Sequence, residues 1–526
     1  DGWIYGCHGF SNHSEISDAS GNVVKLQSGN TYRFREDGSH FELWTQGQVN
    51  PFGMTFDSLG NLFNSDCHSK PVYQLLRGAT YPQFGGTPPP IGYGPTMIDH
   101  QHGSTGICGP AYYAAEHFPE EFRDNLFICN PVTGRVHREQ LTRAGSTLLC
   151  QSQPDFITSD DPWFRPVDAI VGPDGALYIA DFCNLVIGHY EAPLDHPDRD
   201  RTHGRVWRVV YQGDAKSPVQ LSPTDLTQLP TKELVDRLSD PNLQVRTLAT
   251  NFLVDRANEE SLGLVRDAVE SSDMATARAH GLWVLERTKN LDDETLKRLA
   301  HDPAAIVRTH LIKMLAERID WTATESSLAR NALQDSDAFV QRAAADALGR
   351  HPASDNVKPM LQTWATTSVD DTHLIHTLRL SLRDHLLSEP VVTGLAMESI
   401  EADLRERLIE VSAVTDGNRA AGLSLTLLAT TTNPEAWADR IAPQIGNHGT
   451  DDQVAKLISI AKQRIASDPR SQFQILGAVA NGMQHRGKSL DQSEPLRVWW
   501  SEIAAELLGQ LASNSSHWSN HHVPGI

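Results

Sequence analysis

RPVDAIVGPDGALYIADFC, residues Arg165 to Cys183, decides how the first part of this chain folds. Val167, Ala169 and Val171 alternate with their neighbours as in a half-buried strand. Pro173-Asp174-Gly175 then turns the chain, and Ala176-Leu177-Tyr178-Ile179 returns as a second strand. Asp-Gly between two apolar runs predicts a hairpin, because the tight turn needs positive φ and glycine adopts it cheaply.

The same unit recurs. PFGMTFDSLGNLFNSDC (Pro51 to Cys67) has the strand, a looser Asp-x-x-Gly turn and a second strand ending in Asp-Cys. DGWIYGC (Asp1 to Cys7) reads as the turn and second strand alone, and FRDNLFIC (Phe122 to Cys129) as a looser fourth copy. With Tyr5, Phe63, Phe127 and Tyr178 as register marks, the spacings are 58, 64 and 51 residues. Repeated hairpins with an aromatic beside each turn predict β-propeller blades, about four of them. Asp1-Gly2 is a turn without the strand that should precede it, so we expect a fragment that lacks upstream blades and any targeting signal.

A chain of 526 residues that is 39% apolar is globular and too long for one core. The net charge of −21 argues against a nucleic-acid partner, which would call for a basic face. No run of 18 apolar residues is present to cross a membrane. All six cysteines (Cys7, Cys67, Cys108, Cys129, Cys150, Cys183) fall in the first 183 residues. None forms Cys-x-x-Cys, so zinc-finger spacing and the haem-attachment motif are both absent. Buried thiols and one or two disulfides are both open readings.

Composition changes near Gly213-Asp214-Ala215-Lys216-Ser217-Pro218, which reads as a linker. Beyond it the periodicity is helical. Ser239-Asp240-Pro241, His301-Asp302-Pro303 and Asp335-Ser336-Asp337 each separate two helices, and Val-Arg or Val-Gln-Arg opens the second. Arg246, Arg278, Arg308 and Gln341 follow one another at 32, 30 and 33 residues, the period of HEAT-type repeats. Arg246, Arg308 and Arg342 are expected to make contacts between repeats. The predicted fold class is multidomain β plus α. A partial propeller over 1–212 is joined by a linker over 213–225 to an all-α HEAT-like solenoid over 226–512, with a tail over 513–526.

The segments HGSTGICGPAYYAAEHFPEEFRDNLFICNPVTGRVHREQL (His102 to Leu141) and WFRPVDAIVGPDGALYIADFCN (Trp163 to Asn184) resemble the glucose/sorbosone dehydrogenase-like propellers. With the helical repeats behind them, they look most similar to the membrane-bound dehydrogenase-type proteins of planctomycetes and their relatives. The resemblance implies a quinoprotein-like dehydrogenase that uses pyrroloquinoline quinone (PQQ) and calcium at the propeller mouth. It would oxidise a sugar or other alcohol and pass electrons to a c-type cytochrome domain or partner outside this chain. It also implies an extracytoplasmic location, periplasmic or at the cell envelope. The catalytic base would precede Asp1. Asn50 matches a cofactor-facing position, but the arginine expected before it is Val49. The alternative is a non-catalytic scaffold that binds proteins or glycans, with partners on the helical repeats.

The residues themselves offer further candidates. Asp66 and Asp181 end equivalent strands, where carboxylates either bind calcium or cap the blade. His100 and His102 alternate in Asp99-His100-Gln101-His102, so on an extended chain both point one way toward a cofactor or metal. Arg165, beside Trp163 and Phe164, suits either an anionic cofactor or stacking on the indole. Asp168 joins Arg165 only if the chain bends at Pro166.

Overall fold

The computed structural model describes residues 1–188, 192–213, 225–397, 400–465 and 469–518. Most of the linker reading, at 214–224, and the end of the tail lie outside the described residues. Sixteen strands come first among the described residues. They are β1 (Trp3–Cys7), β2 (Ser14–Ser17), β3 (Val23–Leu26), β4 (Thr31–Arg35), β5 (Glu42–Gly47), β6 (Pro51–Phe56), β7 (Leu62–Asp66) and β8 (Tyr73–Leu75). The second eight are β9 (Thr80–Tyr81), β10 (Cys108–Tyr112), β11 (Asn125–Asn130), β12 (Arg135–Ala144), β13 (Thr147–Thr158), β14 (Pro166–Val171), β15 (Leu177–Asp181) and β16 (Arg205–Val209).

They form four blade-like sheets, β1-β4-β5-β9, β6-β7-β8, β10-β11-β12-β13 and β14-β15-β16, with β2-β3 as a separate hairpin. Pairing is antiparallel except for the short β5–β9 contact. The sheets are those of an open propeller and do not close a ring. Strands β6, β10 and β14 stand side by side, and each carries a bulge, at Phe52/Met54, Cys108/Ala111 and Pro166/Asp168. Two glycines allow that approach. A Cβ on Gly53 (φ 77°) would lie 2.9 Å from the Gly109 Cα, and one on Gly109 (φ 50°) would lie 2.3 Å from the Asp168 Cα. Phe63 and Phe127 are fully buried in two adjoining clusters, with Leu126, Ile128, Leu177 and Ile179. All six cysteines are free thiols, and Cys108 lies directly opposite Cys129 in register.

Seventeen α-helices follow among the described residues, from Thr231 to Trp518. The last, Glu494–Trp518, continues past residue 512, so the tail expected at 513 begins as helix. The repeat marks occupy equivalent contacts. Arg246, Arg278 and Arg308 each donate to the carbonyl six residues back at 2.6 Å, and Gln341 does so at 2.7 Å. Arg278 then pairs with Asp302 at 2.6 and 2.8 Å, and Arg308 with Asp335 at 2.7 and 2.8 Å, joining successive repeats. Arg246 keeps the expected inter-repeat contact, its Nε facing His280 Nε2 of the next repeat at 3.3 Å, whereas Arg342 departs from that role and turns to the blades. Arg246 also reaches the Ser58 hydroxyl at 3.4 Å, and Arg342 donates to Ser146 O at 2.7 Å and to the Asn61 side chain.

Two compact units result. One comprises Asp1–Leu348 with Thr367–Thr377; the other comprises Gly349–Thr366 with Leu378–Ile526. Within the first, helices pack on the turn ends of the blades. Asn242 donates to Gly172 O at 2.8 Å, Lys313 to Gly60 O at 2.7 Å, and Asp371 accepts the Ser146 N–H at 2.7 Å. Five-residue strands rise about 16 Å, so the ends of β7, β11 and β15 form an opposite rim well clear of those helices. No helix among the described residues is long and apolar enough to cross a membrane.

Candidate metal centre

Two histidines and a carboxylate come together against β12, with Glu139 set back four residues in register from Asn130, the rim end of β11. His100 and His102 sit in the irregular loop that leads into β10, and Glu139 lies on β12 opposite Leu126. Their donor atoms all lie within 4.8 Å of one another. Glu139 Oε1 is 2.8 Å from His100 Nε2 and 2.7 Å from His102 Nε2. The Glu139 side chain is 0% exposed and its Oε2 has no partner. His102, 7% exposed, approaches the carboxylate without making a hydrogen bond, so its Nε2 is also unpartnered. A buried carboxylate with an orphaned oxygen is costly unless a cation sits beside it. Three protein ligands of N, N and O type suit Zn²⁺, Fe²⁺ or Mn²⁺ and leave positions open, as catalytic centres do.

A second layer holds the first. His137, on the same side of β12 as Glu139, stacks on His102 with ring centroids 4.0 Å apart and planes 8° apart. Asp155 binds His137 Nδ1 at 2.6 Å, and Asn130 faces its Nε2 at 3.0 Å. Asn130 also donates to His102 O at 3.1 Å, tying the loop to the strand. Burial, then the neighbouring His102, hold the His137 imidazole below its ordinary pKa despite Asp155. Behind the site, burial and the Glu139 charge push the Cys150 thiol well up.

Sequence reasoning placed His100 and His102 and missed Glu139. The available signal was His137-Arg138-Glu139, two candidate ligands at alternate positions of one strand.

The other candidates are not brought into this group. Asp66 accepts the N–H groups of Val49 (2.9 Å) and Asn50 (2.8 Å) and the Ser69 hydroxyl. Asp181 accepts from the Arg165 and Cys183 N–H groups, both at 2.8 Å, and from Arg205 (2.7 Å) and Trp207 (2.9 Å). Both carboxylates therefore strap the start of one strand to the end of the next, where calcium was the other reading. Arg165 directs its guanidinium at backbone carbonyls, Asn184 and Pro131 at 2.9 Å and Leu185 at 3.2 Å. It clamps two rim loops and meets neither of the roles weighed for it. Asp168 lies beyond the β14 bulge and makes no ion pair with Arg165 among the described residues; burial raises its pKa. Asn50 accepts the Phe10 N–H at 2.9 Å and donates to Cys67 Sγ at 3.3 Å. Val49 is buried. The PQQ carboxylates that the resemblance implies thus meet no open cation among the carried-over residues, which do not fit that group.

Residues 1–213 match a family described as "Domain of unknown function (DUF7133)", and residues 293–379 match HEAT repeats. No curated protein matches the sequence. Among solved structures, a protein named glucose dehydrogenase is 21% identical over 34% of this chain and 55% of its own, with a TM-score of 0.25. A second glucose dehydrogenase is 19% identical over 38% and 65%, at 0.23. The complex of CpcE and CpcF of phycocyanin lyase from Nostoc sp. PCC7120 is 16% identical over 50% of this chain and 98% of its own, at 0.23. This chain therefore spans little more than half to two thirds of the two glucose dehydrogenases, and at these scores none of the three bears on function.

Proposed function

We propose that the β part is a metal-dependent enzyme acting on a sugar or other small alcohol at its open rim. The observation that carries this reading is the buried, half-partnered Glu139 carboxylate facing His100 and His102. A divalent ion held there supplies Lewis-acid polarisation of a substrate hydroxyl. Glu139 contributes the charge, His102 is fixed by stacking and by Asn130, and the partly exposed His100 borders the open side. The reaction class we assign is two-electron oxidation of the alcohol to a carbonyl. The C–H hydrogen would leave as hydride to an exchangeable two-electron acceptor of the quinone class supplied from outside the chain, the O–H hydrogen as a proton, and a c-type cytochrome partner would take the two electrons onward. An extracytoplasmic setting accords with such a partner.

The test is to remove metal from the full chain, reload it with Zn²⁺, Mn²⁺ or Fe²⁺, and follow oxidation of a sugar panel with a quinone-type acceptor dye. One ion per chain and chelator-sensitive turnover are expected. A bound ion without turnover on any sugar or alcohol would instead support the scaffold reading. That second reading draws on the regular Arg278–Asp302 and Arg308–Asp335 links, which make the helical repeats a continuous surface for a protein partner.

A further inference from the structure

Just beyond the ends of β1, β7 and β9, three exposed rings meet. The centroid of Phe84 is 6.1 Å from that of Phe10 and 5.6 Å from that of His68, and Phe10 and His68 are 6.3 Å apart. Phe84 is 64% exposed. Large aromatics left in water at one place signal a binding surface. This one is also held in place. Asn50 bonds the Phe10 backbone with one end of its amide and Cys67, next to His68, with the other. Ser11, beside Phe10, adopts φ 55°, a conformation that a non-glycine residue keeps only when its surroundings enforce it.

The platform adjoins the metal centre. Gln101, between His100 and His102, donates to Ser69 O at 3.2 Å, and Ser69 follows His68. We propose that Phe10, His68 and Phe84 form a carbohydrate subsite, on which the C–H face of a pyranose ring stacks while its hydroxyl edge turns toward the His100–His102 loop. The inference rests on the metal-site reading for its orientation. Phe84, set at 88° to Phe10 and 41° to His68 and braced by both, presents one open ring face about the size of a single sugar ring. It is far smaller than the roughly 800 Å² per partner of a stable protein interface. The net charge of −21 opposes docking on an anionic membrane.

Native gel electrophoresis of the full chain through hydroxyethyl cellulose, xylan or laminarin tests it. Retardation in at least one gel is expected, weakened about tenfold by Phe84→Ala, restored by Phe84→Trp and unchanged by chelator. Each ring is exposed, so these variants should keep the parent melting temperature. No retardation in any gel, or retardation indifferent to Phe84→Ala, would overturn the subsite. So would Phe84-dependent flotation with phosphatidylcholine vesicles without retardation. Metal content is measured in parallel, so loss of the ion with retained retardation would fault the metal reading alone.

Discussion

His310 Nε2 donates to the carbonyl of Ser58 at 2.9 Å, and Trp283 Nε1 donates to His310 Nδ1 at 3.1 Å. Together the two bonds fix a neutral imidazole protonated on Nε2, where a repeat helix meets a blade turn. Burial first, then the Lys313 charge, lower its pKa from 6.5 to about 4. Between those values the unfolded chain binds a proton that the folded one refuses, so stability is full above pH 6.5 and falls as the pH drops toward 4. The loss from this group is about 3 kcal/mol. Denaturant titrations at pH 7 and pH 4.5 should show a larger drop for the parent than for His310→Gln, whose amide can make both bonds without titrating. Equal drops would remove His310 as the cause.

The proposed metal centre predicts a graded series. Glu139→Gln and His102→Ala remove ligand atoms and should abolish stoichiometric binding of Zn²⁺ or Mn²⁺ in calorimetric titration. Asn130→Ala removes only the support of His102 and should weaken binding by about tenfold, the usual effect of a supporting residue. Identical losses in all three variants would point to unfolding of the rim, and near-ultraviolet dichroism reports that directly.

The blades were legible because hairpins write themselves locally. Asp-Gly and Asp-x-x-Gly mark the turns, and Phe63 and Phe127 mark strands that bury completely. The helical period was legible because Arg246, Arg278, Arg308 and Gln341 do the same local work, each closing on the carbonyl six residues back. What lay between distant segments was not legible. Glu139 meets His100 across 39 residues, Arg342 meets Ser146 across 196, and neither pairing leaves a trace in local spacing. Arg165 misled for a related reason. A cation beside aromatics at the start of a strand looks like a ligand site until the loops that supply its carbonyls are folded around it.

The links between repeats should be worth more than surface ion pairs. Arg308 and Asp335 are 14% and 13% exposed and doubly bonded, between the 0–1 kcal/mol of an exposed pair and the 3–5 kcal/mol lost on breaking a buried one. Arg308→Ala should cost about 2 kcal/mol, because it strands Asp335 and leaves the Asp302 carbonyl without its donor. Asp335→Asn in the Arg308→Ala background should recover part of that loss. A double-mutant cycle with a coupling near zero would show the pair to be incidental.

Arg165 separates the cofactor reading from the clamp reading. If it bound an anionic quinone, Arg165→Ala would abolish PQQ binding and leave stability unchanged. Its donors instead hold the carbonyls of Pro131, Asn184 and Leu185, so removing it should cost about 2 kcal/mol by leaving those acceptors unsatisfied and the two rim loops untied. Titrating PQQ with calcium into the parent protein should give no saturable quenching of tryptophan fluorescence, because Asp66 and Asp181 offer no free oxygen pair and Val49 no cation. Lys, with one point charge in place of a planar fork, cannot reach carbonyls on two loops, so Arg165→Lys should recover less than half of the stability. Calcium-dependent, saturable quenching that Arg165→Ala removes would return this residue to the cofactor site and set the clamp aside.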